Sequence, residues 1–284
     1  MRESKLATLF ISREHNRWTA VKSFEELISE ADAWKLEGWD FTSLNGRWVE
    51  SPTPWDYRTM VLALLQRADS LLDMGTGGGE FLSSLHPLPK RTFATEGYLP
   101  NVSVARERLE PLGIAVIRTF SEDNSKTPQS GSVPFRADCF DLVINRHDAF
   151  VASEVYRVLK SSGIFLTQQV GSENLVELNE LLGAERQVGS EWNLDVAIMQ
   201  LEVAGFEVID KRKATLSTYF KDIGAVICYL KAAPWQIPDF TVHRYIKELR
   251  RLDESMREKG GLKVKSTRFL VQAAKQRFRH SLRP

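Results

Sequence analysis

Ser70-Leu71-Leu72-Asp73-Met74-Gly75-Thr76-Gly77-Gly78-Gly79-Glu80-Phe81-Leu82 is the stretch on which the fold turns. It begins as a short apolar run, which reads as a buried parallel strand. It then breaks into a loop in which four of the five residues from Gly75 to Gly79 are glycine. From Glu80 to Leu85 apolar residues recur at helical spacing. A strand, a glycine turn and a helix start form a nucleotide-binding device, because glycine tolerates positive φ and lets a ligand approach the backbone. A dinucleotide fingerprint needs G-x-G-x-x-G. Gly75 and Gly77 fit it, but Glu80 occupies the place of the third glycine.

Working outward, strands and helices alternate. Arg91–Gly97 reads as a second strand, with a helix over 102–112 stopped by Gly113. Ile114–Arg118 is a third strand, Phe140–Asn145 a fourth and Ile164–Val170 a fifth, with a helix over 152–160 between the last two. A helix over 193–204 follows, then strands near Glu207–Asp210 and Ala225–Leu230. Residues 121–132 hold Pro128 and Gly131 and read as a loop. Such alternation predicts an α/β, doubly wound, mostly parallel sheet with helices on both faces. On the N-terminal side, a helix from Ser23 to Leu36 carries Ser23 and Glu26 at capping-box spacing, and Asp56–Arg67 is a second helix. Trp18, Trp34, Trp39, Trp48 and Trp55 concentrate in the same region. They make either a small packed core or an aromatic cap over a substrate site. From Val242 the pattern reads as wholly helical, with a second short helix over 267–278. The expected organisation is a cap over 1–66, a core over 67–240 and a helical extension over 241–284.

The chain has 284 residues and a net charge of +1, so overall charge predicts no polyanion partner. No apolar run is long enough to span a bilayer, and Met1–Leu6 lacks a signal-peptide core. Cys139 and Cys228 stand in no metal or redox spacing, so a reduced, cytoplasmic protein without a metal is the plain expectation. Charge is uneven: residues 241–284 hold 13 of the 38 Lys/Arg and only 4 of the 37 Asp/Glu.

The run D-x-G-x-G-x-G from Asp73 to Gly79 resembles motif I of the class I S-adenosylmethionine-dependent methyltransferases. Val133-Pro134-Phe135-Arg136-Ala137-Asp138-Cys139-Phe140-Asp141-Leu142-Val143 is similar to the family's L-P-F-x-D-x-S-F-D-L-V run, with Cys139 in place of serine. Glu154-Val155-Tyr156-Arg157-Val158-Leu159-Lys160-Ser161-Ser162-Gly163 is similar to E-x-x-R-V-L-K-P-G-G, with Ser161-Ser162 departing from the usual turn. The resemblance covers residues 70–170 and is closest to the type 11 methyltransferases. It implies a seven-stranded sheet of order 3-2-1-4-5-7-6 with the last strand antiparallel. It also implies S-adenosylmethionine (SAM) as cofactor and S-adenosylhomocysteine as product.

Residue roles follow from that resemblance. Gly75, Thr76, Gly77 and Gly79 would lie against the ribose and methionine portion. Asp73 would meet the loop or the ammonium. Glu96, 17 residues after Gly79, would take both ribose hydroxyls, since a carboxylate accepts in a fork. Asn145, Arg146, His147 and Asp148 end the fourth strand and should face the methyl group. His147 is the candidate general base and Asp148 its orienting partner. Arg58 would clamp the SAM carboxylate and Tyr57 would close over it. Neither a D/N-P-P-Y motif nor a Pro-Cys nucleophile is present. A small-molecule acceptor, methylated on nitrogen or oxygen, is the expected substrate. The alternatives are an RNA methyltransferase using Lys263, Lys265, Arg268, Lys275, Arg277, Arg279 and Arg283, and a SAM-binding protein without catalysis.

Overall fold

The computed structural model describes residues 22–36, 41–119, 132–184 and 191–276. The readings placed on Trp18, Trp39, residues 121–131, Arg277, Arg279 and Arg283 lie outside the described residues. The strands are β1 (Trp48–Glu50), β2 (Ser70–Met74), β3 (Arg91–Glu96), β4 (Ala115–Arg118), β5 (Phe140–Arg146), β6 (Leu159–Val170), β7 (Phe206–Phe220) and β8 (Leu262–Lys275). The helices are α1 (Phe24–Ala33), α2 (Tyr57–Leu65), α3 (Glu80–Ser83), α4 (Leu99–Leu109), α5 (Ala152–Val158), α6 (Val176–Leu181), α7 (Leu194–Val203), α8 (Ile223–Ala232) and α9 (Ile246–Lys259).

One sheet of eight strands runs in the order β1-β7-β8-β6-β5-β2-β3-β4. β2 pairs in parallel with β3 and β5, and it is buried along its whole length, as an apolar strand covered on both faces must be. β4 and β6 extend the parallel set, while β8 runs antiparallel to both β6 and β7. The expected order 3-2-1-4-5-7-6 is thus present from β4 to β7, but with a different seventh strand and an added eighth, β1, antiparallel to β7.

Two expectations are corrected. Ala225–Leu230 belongs to helix α8, not a strand. Every residue from Ile223 to Cys228 is buried, so the helix shows no polar stripe, and a short apolar run alone does not separate helix from strand. Residues 267–275 belong to strand β8, not a helix, so 241–284 is helical only over α9 among the described residues. The strand signal was present nearby: Lys263 and Lys265 are exposed while Val264 and Ser266 are buried, a period of two.

Apolar side chains from α2, β2, β5 and β8 meet on one face of the sheet around Val61, Leu71, Ile144 and Leu270. On the other face Val143, Val155, Phe165, Leu201 and Val271 pack together. A further core stands apart, built from Phe24 and Leu27 of α1, Phe220 of β7, Ile223 to Leu230 of α8, and Leu249 to Met256 of α9. Its position follows from the strands. β6 pairs with β8 only as far as Val170↔Arg268, whereas β7 and β8 stay paired to Phe220↔Leu262. Six further pairs at about 3.3 Å per residue carry this ladder about 20 Å past the carboxyl end of β6. The projecting strands, with β1 on their edge, form the floor of a second lobe beyond the carboxyl end of β6.

Local chemistry ties that lobe together. Ser23 and Glu26 form the expected capping box on α1. Lys231 of α8 donates to the last carbonyls of α1, with Nζ to Ala31 O at 2.5 Å and to Asp32 O at 3.1 Å. Arg47 makes a fork onto Asp222, the N-cap of α8, at 2.8 and 2.7 Å. That guanidinium holds the Asp222 carboxyl below its usual range despite burial.

Candidate functional site

The carboxyl ends of β2 and β3 bring the glycine loop against two acids. The Gly75 and Thr76 amides donate to Thr95 O at 3.0 and 2.9 Å, folding the loop over the end of β3. Thr76 Oγ1 donates to Asp73 Oδ2 at 2.7 Å. Gly77 N donates to Glu96 Oε2 at 2.7 Å, and Tyr98 N to Glu96 Oε1 at 2.8 Å. With four lone-pair sites, the Glu96 carboxylate can accept from a ligand beside these amides. Gly75 has φ +70°, and a Cβ there would lie 2.1 Å from Asp148 Oδ2. Glycine is required at that position by both conformation and space. The carboxylate of Asp148, from the loop after β5, therefore packs directly on the glycine turn.

Three carboxylates thus ring one loop, and each is raised. Burial pushes Asp73 up to about 6. Burial, with the neighbouring Asp148 charge, pushes Glu96 up to about 7. Asp148 keeps an exposed surface, yet the surrounding protein desolvates it enough to raise it to about 6. Clustered acids with raised pKa values mark a site suited to a cationic ligand.

The β5 end is ordered differently. Asn145 is fully buried and its amide is consumed by protein: Nδ2 donates to Met74 O at 3.0 Å, and Oδ1 accepts from Thr167 Oγ1 at 2.9 Å and Gln169 Nε2 at 2.5 Å. Arg146 lies over the Phe81 ring at 4.7 Å, and Tyr57 meets the same ring at 5.4 Å. The Tyr57 hydroxyl sits between Asn145 O and Leu166 O at 3.1 and 3.2 Å, and burial raises its pKa. Arg58 turns toward the end of α3, donating to Ser84 Oγ at 2.6 Å and Ser84 O at 2.7 Å. Asp73, Gly75, Thr76, Gly77, Glu96 and Asp148 therefore converge, with Gly79 closing the loop at φ +79°. Arg146 borders them, while Tyr57, Arg58 and Asn145 are engaged with protein groups.

His147 adopts φ +62°, a region non-glycine residues enter rarely. Its amide donates to Gln168 O at 2.8 Å. Its side chain belongs to a relay. Trp55 Nε1 donates to Gln168 Oε1 at 2.8 Å, and Gln168 Nε2 stands 3.0 Å from His147 Nε2. An indole N–H can only donate, so it fixes which end of the Gln168 amide is oxygen. The amide nitrogen then donates to His147 Nε2, which leaves the imidazole proton on Nδ1. Burial, then the charges of Arg268 and Arg146, hold the His147 pKa well below its ordinary value. The ring is neutral, with its lone pair already used.

Sequence reasoning missed Phe81, Glu50 and Arg268 as neighbours of this site. Arg268 was counted among tail cations, yet it is 7% exposed on a central strand. Only the pairing of β8 with β6 brings it here, and no local motif announces that. Among the described residues no group of three His, Cys, Asp or Glu could hold a metal, and no helix is long and apolar enough to cross a membrane.

Comparison with known proteins gives a likeness over part of the chain. Residues 72–167 match the family model described as a methyltransferase domain. Two solved structures share the fold: a Bacillus halodurans C-125 protein assigned as a methyltransferase, and the YcgJ protein of Bacillus subtilis. The first is 21% identical with a TM-score of 0.51, covering 76% of this chain and 98% of its own. The second is 18% identical with a TM-score of 0.52, covering 77% and 97%. Among curated proteins, none matches the sequence. Over residues 72–167 the chain is similar to the methyltransferase domain family, and the two solved structures share its fold.

Proposed function

We propose that this methyltransferase moves the methyl group of SAM to a nitrogen or oxygen of a small molecule by in-line displacement. Asp73, the Gly75–Gly79 loop, Glu96 and Asp148 would hold the cofactor. The acids complement its cationic sulfonium and ammonium, and the free lone pairs of Glu96 suit a ribose diol. When bound there, SAM supplies an electrophilic methyl, whose bond to sulfur breaks, leaving a neutral thioether, as the bond to the acceptor forms.

The protein's share is orientation and exclusion of water. His147 acts as a hydrogen-bond donor through Nδ1, since its Nε2 lone pair accepts from Gln168. No proton need pass to the enzyme if the acceptor atom is already a free nucleophile. Any acceptor proton leaves to water.

The observation that carries the small-molecule reading is the burial of Gln168, Arg268 and Trp55, each under a tenth exposed, where the second lobe leaves the end of β6. Of the cations behind the RNA reading, Lys263 and Lys265 stay exposed while Arg268 and Lys275 are drawn inward. Arg268 and Lys275 are buried in bonds to Glu50 and Asp138, and Lys265 pairs with Glu177. Calorimetry with SAM tests the cofactor site, with Glu96→Ala as control. Transfer of labelled methyl from SAM to small-molecule and RNA fractions tests the rest. Label in RNA alone would refute the small-molecule reading, and SAM binding with no transfer to any fraction would leave a non-catalytic binder.

A further inference from the structure

A seam of buried polar groups separates the roofing lobe from the sheet, and most of it serves no purpose described so far. It starts at His147 and passes through Gln168 and Trp55. Beyond them stands Arg268, whose Nη2 donates to Glu50 Oε2 at 2.6 Å and whose Nη1 donates to Asn174 Oδ1 and Thr267 O, each at 2.8 Å. Thr218 Oγ1 donates to Ser266 Oγ at 3.0 Å, and Asn174 Nδ2 to the Tyr229 hydroxyl at 3.3 Å.

Stability does not require this arrangement. A buried ion pair is weak evidence for stabilisation, because apolar packing of equal volume does as well or better. Nor are all the donors used. A guanidinium has five N–H groups. Among the described residues the Arg268 Nε–H has no partner, although the side chain is 8% exposed. Gln168 and Arg268 share a sheet face: Gln168 is paired with Leu270, two residues from Arg268, on the adjacent strand. The Arg268 charge is near enough to oppose protonation of His147. The acids, in contrast, lie at the other end, around Gly75. Charge is unevenly placed, with the three carboxylates and Arg146 at the donor end and the Arg268–Glu50 pair toward the lobe. The unusual backbone of His147 stands at the junction, where stored strain commonly marks a working residue.

We propose that this seam is the acceptor subsite and that it takes a small molecule bearing a carboxylate, held by Arg268, with His147 Nδ1–H donating to the acceptor at the end nearest the donor. The inference rests on the methyltransferase reading above and adds the chemical class of the acceptor. Arg268 is then a substrate-binding residue, and Glu50 and Asn174 are positioning residues that hold its fork while leaving Nε free.

The deciding experiment uses the full native chain. The small-molecule fraction of a cell extract is divided by ion exchange into acidic, neutral and basic pools, and each is incubated with labelled SAM. Label should enter the acidic pool. Label entering only the neutral or basic pool would overturn this inference and leave the methyltransferase reading intact. Failure to bind SAM in calorimetry would instead sink that reading. With the labelled acidic acceptor, Arg268→Gln should raise KM at least tenfold with SAM affinity unchanged, and Arg268→Lys should recover part of the loss. Equal KM for native and Arg268→Gln protein would also overturn the assignment. A variant that no longer binds SAM is misfolded, and the pool experiment on the native chain then decides alone.

Discussion

The ends proposed for donor and acceptor in this molecule are built by opposite means. Around the glycine loop, the groups come from a short stretch of chain, and backbone amides do much of the work. Thr95, Gly77 and Tyr98 supply main-chain partners, and Asp73, Glu96 and Asp148 add negative charge. Beneath the second lobe, the groups are long side chains brought from Glu50, Trp55, His147, Gln168 and Arg268. A site made of backbone tolerates few changes in the residues that shape it. A site made of distant side chains can be retuned one residue at a time. One end is fitted to a constant ligand and the other to a variable one.

The sharpest way to break the comparison is at Gly75. Gly75→Ala places a Cβ on the Asp148 carboxylate at a positive φ. Strain of that kind costs on the order of 1–3 kcal/mol before any displacement of Asp148, so SAM affinity should fall about a hundredfold in calorimetry. An unchanged affinity would mean that the loop does not cradle the donor. Glu96→Ala comes next. Loss of two hydrogen bonds, at about 0.5–1.5 kcal/mol net apiece, predicts a loss of about fivefold to a hundredfold. At the acceptor end, Arg268→Gln should separate the two regions, moving acceptor KM and leaving SAM binding alone. A joint loss in a folded variant would show that the ends are one unit.

A pH titration sharpens the contrast further. Asp73 and Asp148 at about 6 and Glu96 at about 7 all lie above their ordinary values. A cation binds best when all three are ionised, so SAM affinity should rise several-fold between pH 5.5 and 7.5, with proton release detectable by calorimetry in two buffers. In the unliganded protein the sign is reversed. Folded-state carboxyls with raised pKa values hold protons that the unfolded chain gives up, so their contribution to stability is present at low pH and lost as pH rises through 6 to 7. His147, kept neutral, opposes this with one proton against three. The smallest effect belongs to Trp55→Phe. It frees the Gln168 amide to turn and releases the His147 tautomer, for about 1 kcal/mol, a few-fold change in kcat with SAM affinity unchanged.

The same contrast explains what the sequence discloses. The Asp73–Gly79 run, Glu96 and the strand order from β4 to β6 are legible because each follows from local pattern and crossover handedness. The capping box of α1 is legible for the same reason. α8 is not, since a helix buried on all sides loses its periodicity. β8 is harder still. Its cations Arg268 and Lys275 look like surface residues until strands on both sides bury them. Tyr57 and Arg58 show the limit of carrying a role by position, because their partners lie at Asn145, Leu166 and Ser84.

The long ladder of β7 with β8, unbroken in pairing direction from Phe206↔Lys275 to Phe220↔Leu262, has a mechanical consequence. The lobe proposed to roof the acceptor is carried by the same two strands that help build the sheet, so along β7 and β8 no loop separates lobe from sheet. Such a roof cannot swing like a door. It admits an acceptor only as a stiff cantilever does, by twisting along its length, and each twist is felt directly at Arg268. Occupancy of the roofed space and the shape of the sheet edge are therefore geared to each other through a beam rather than a latch.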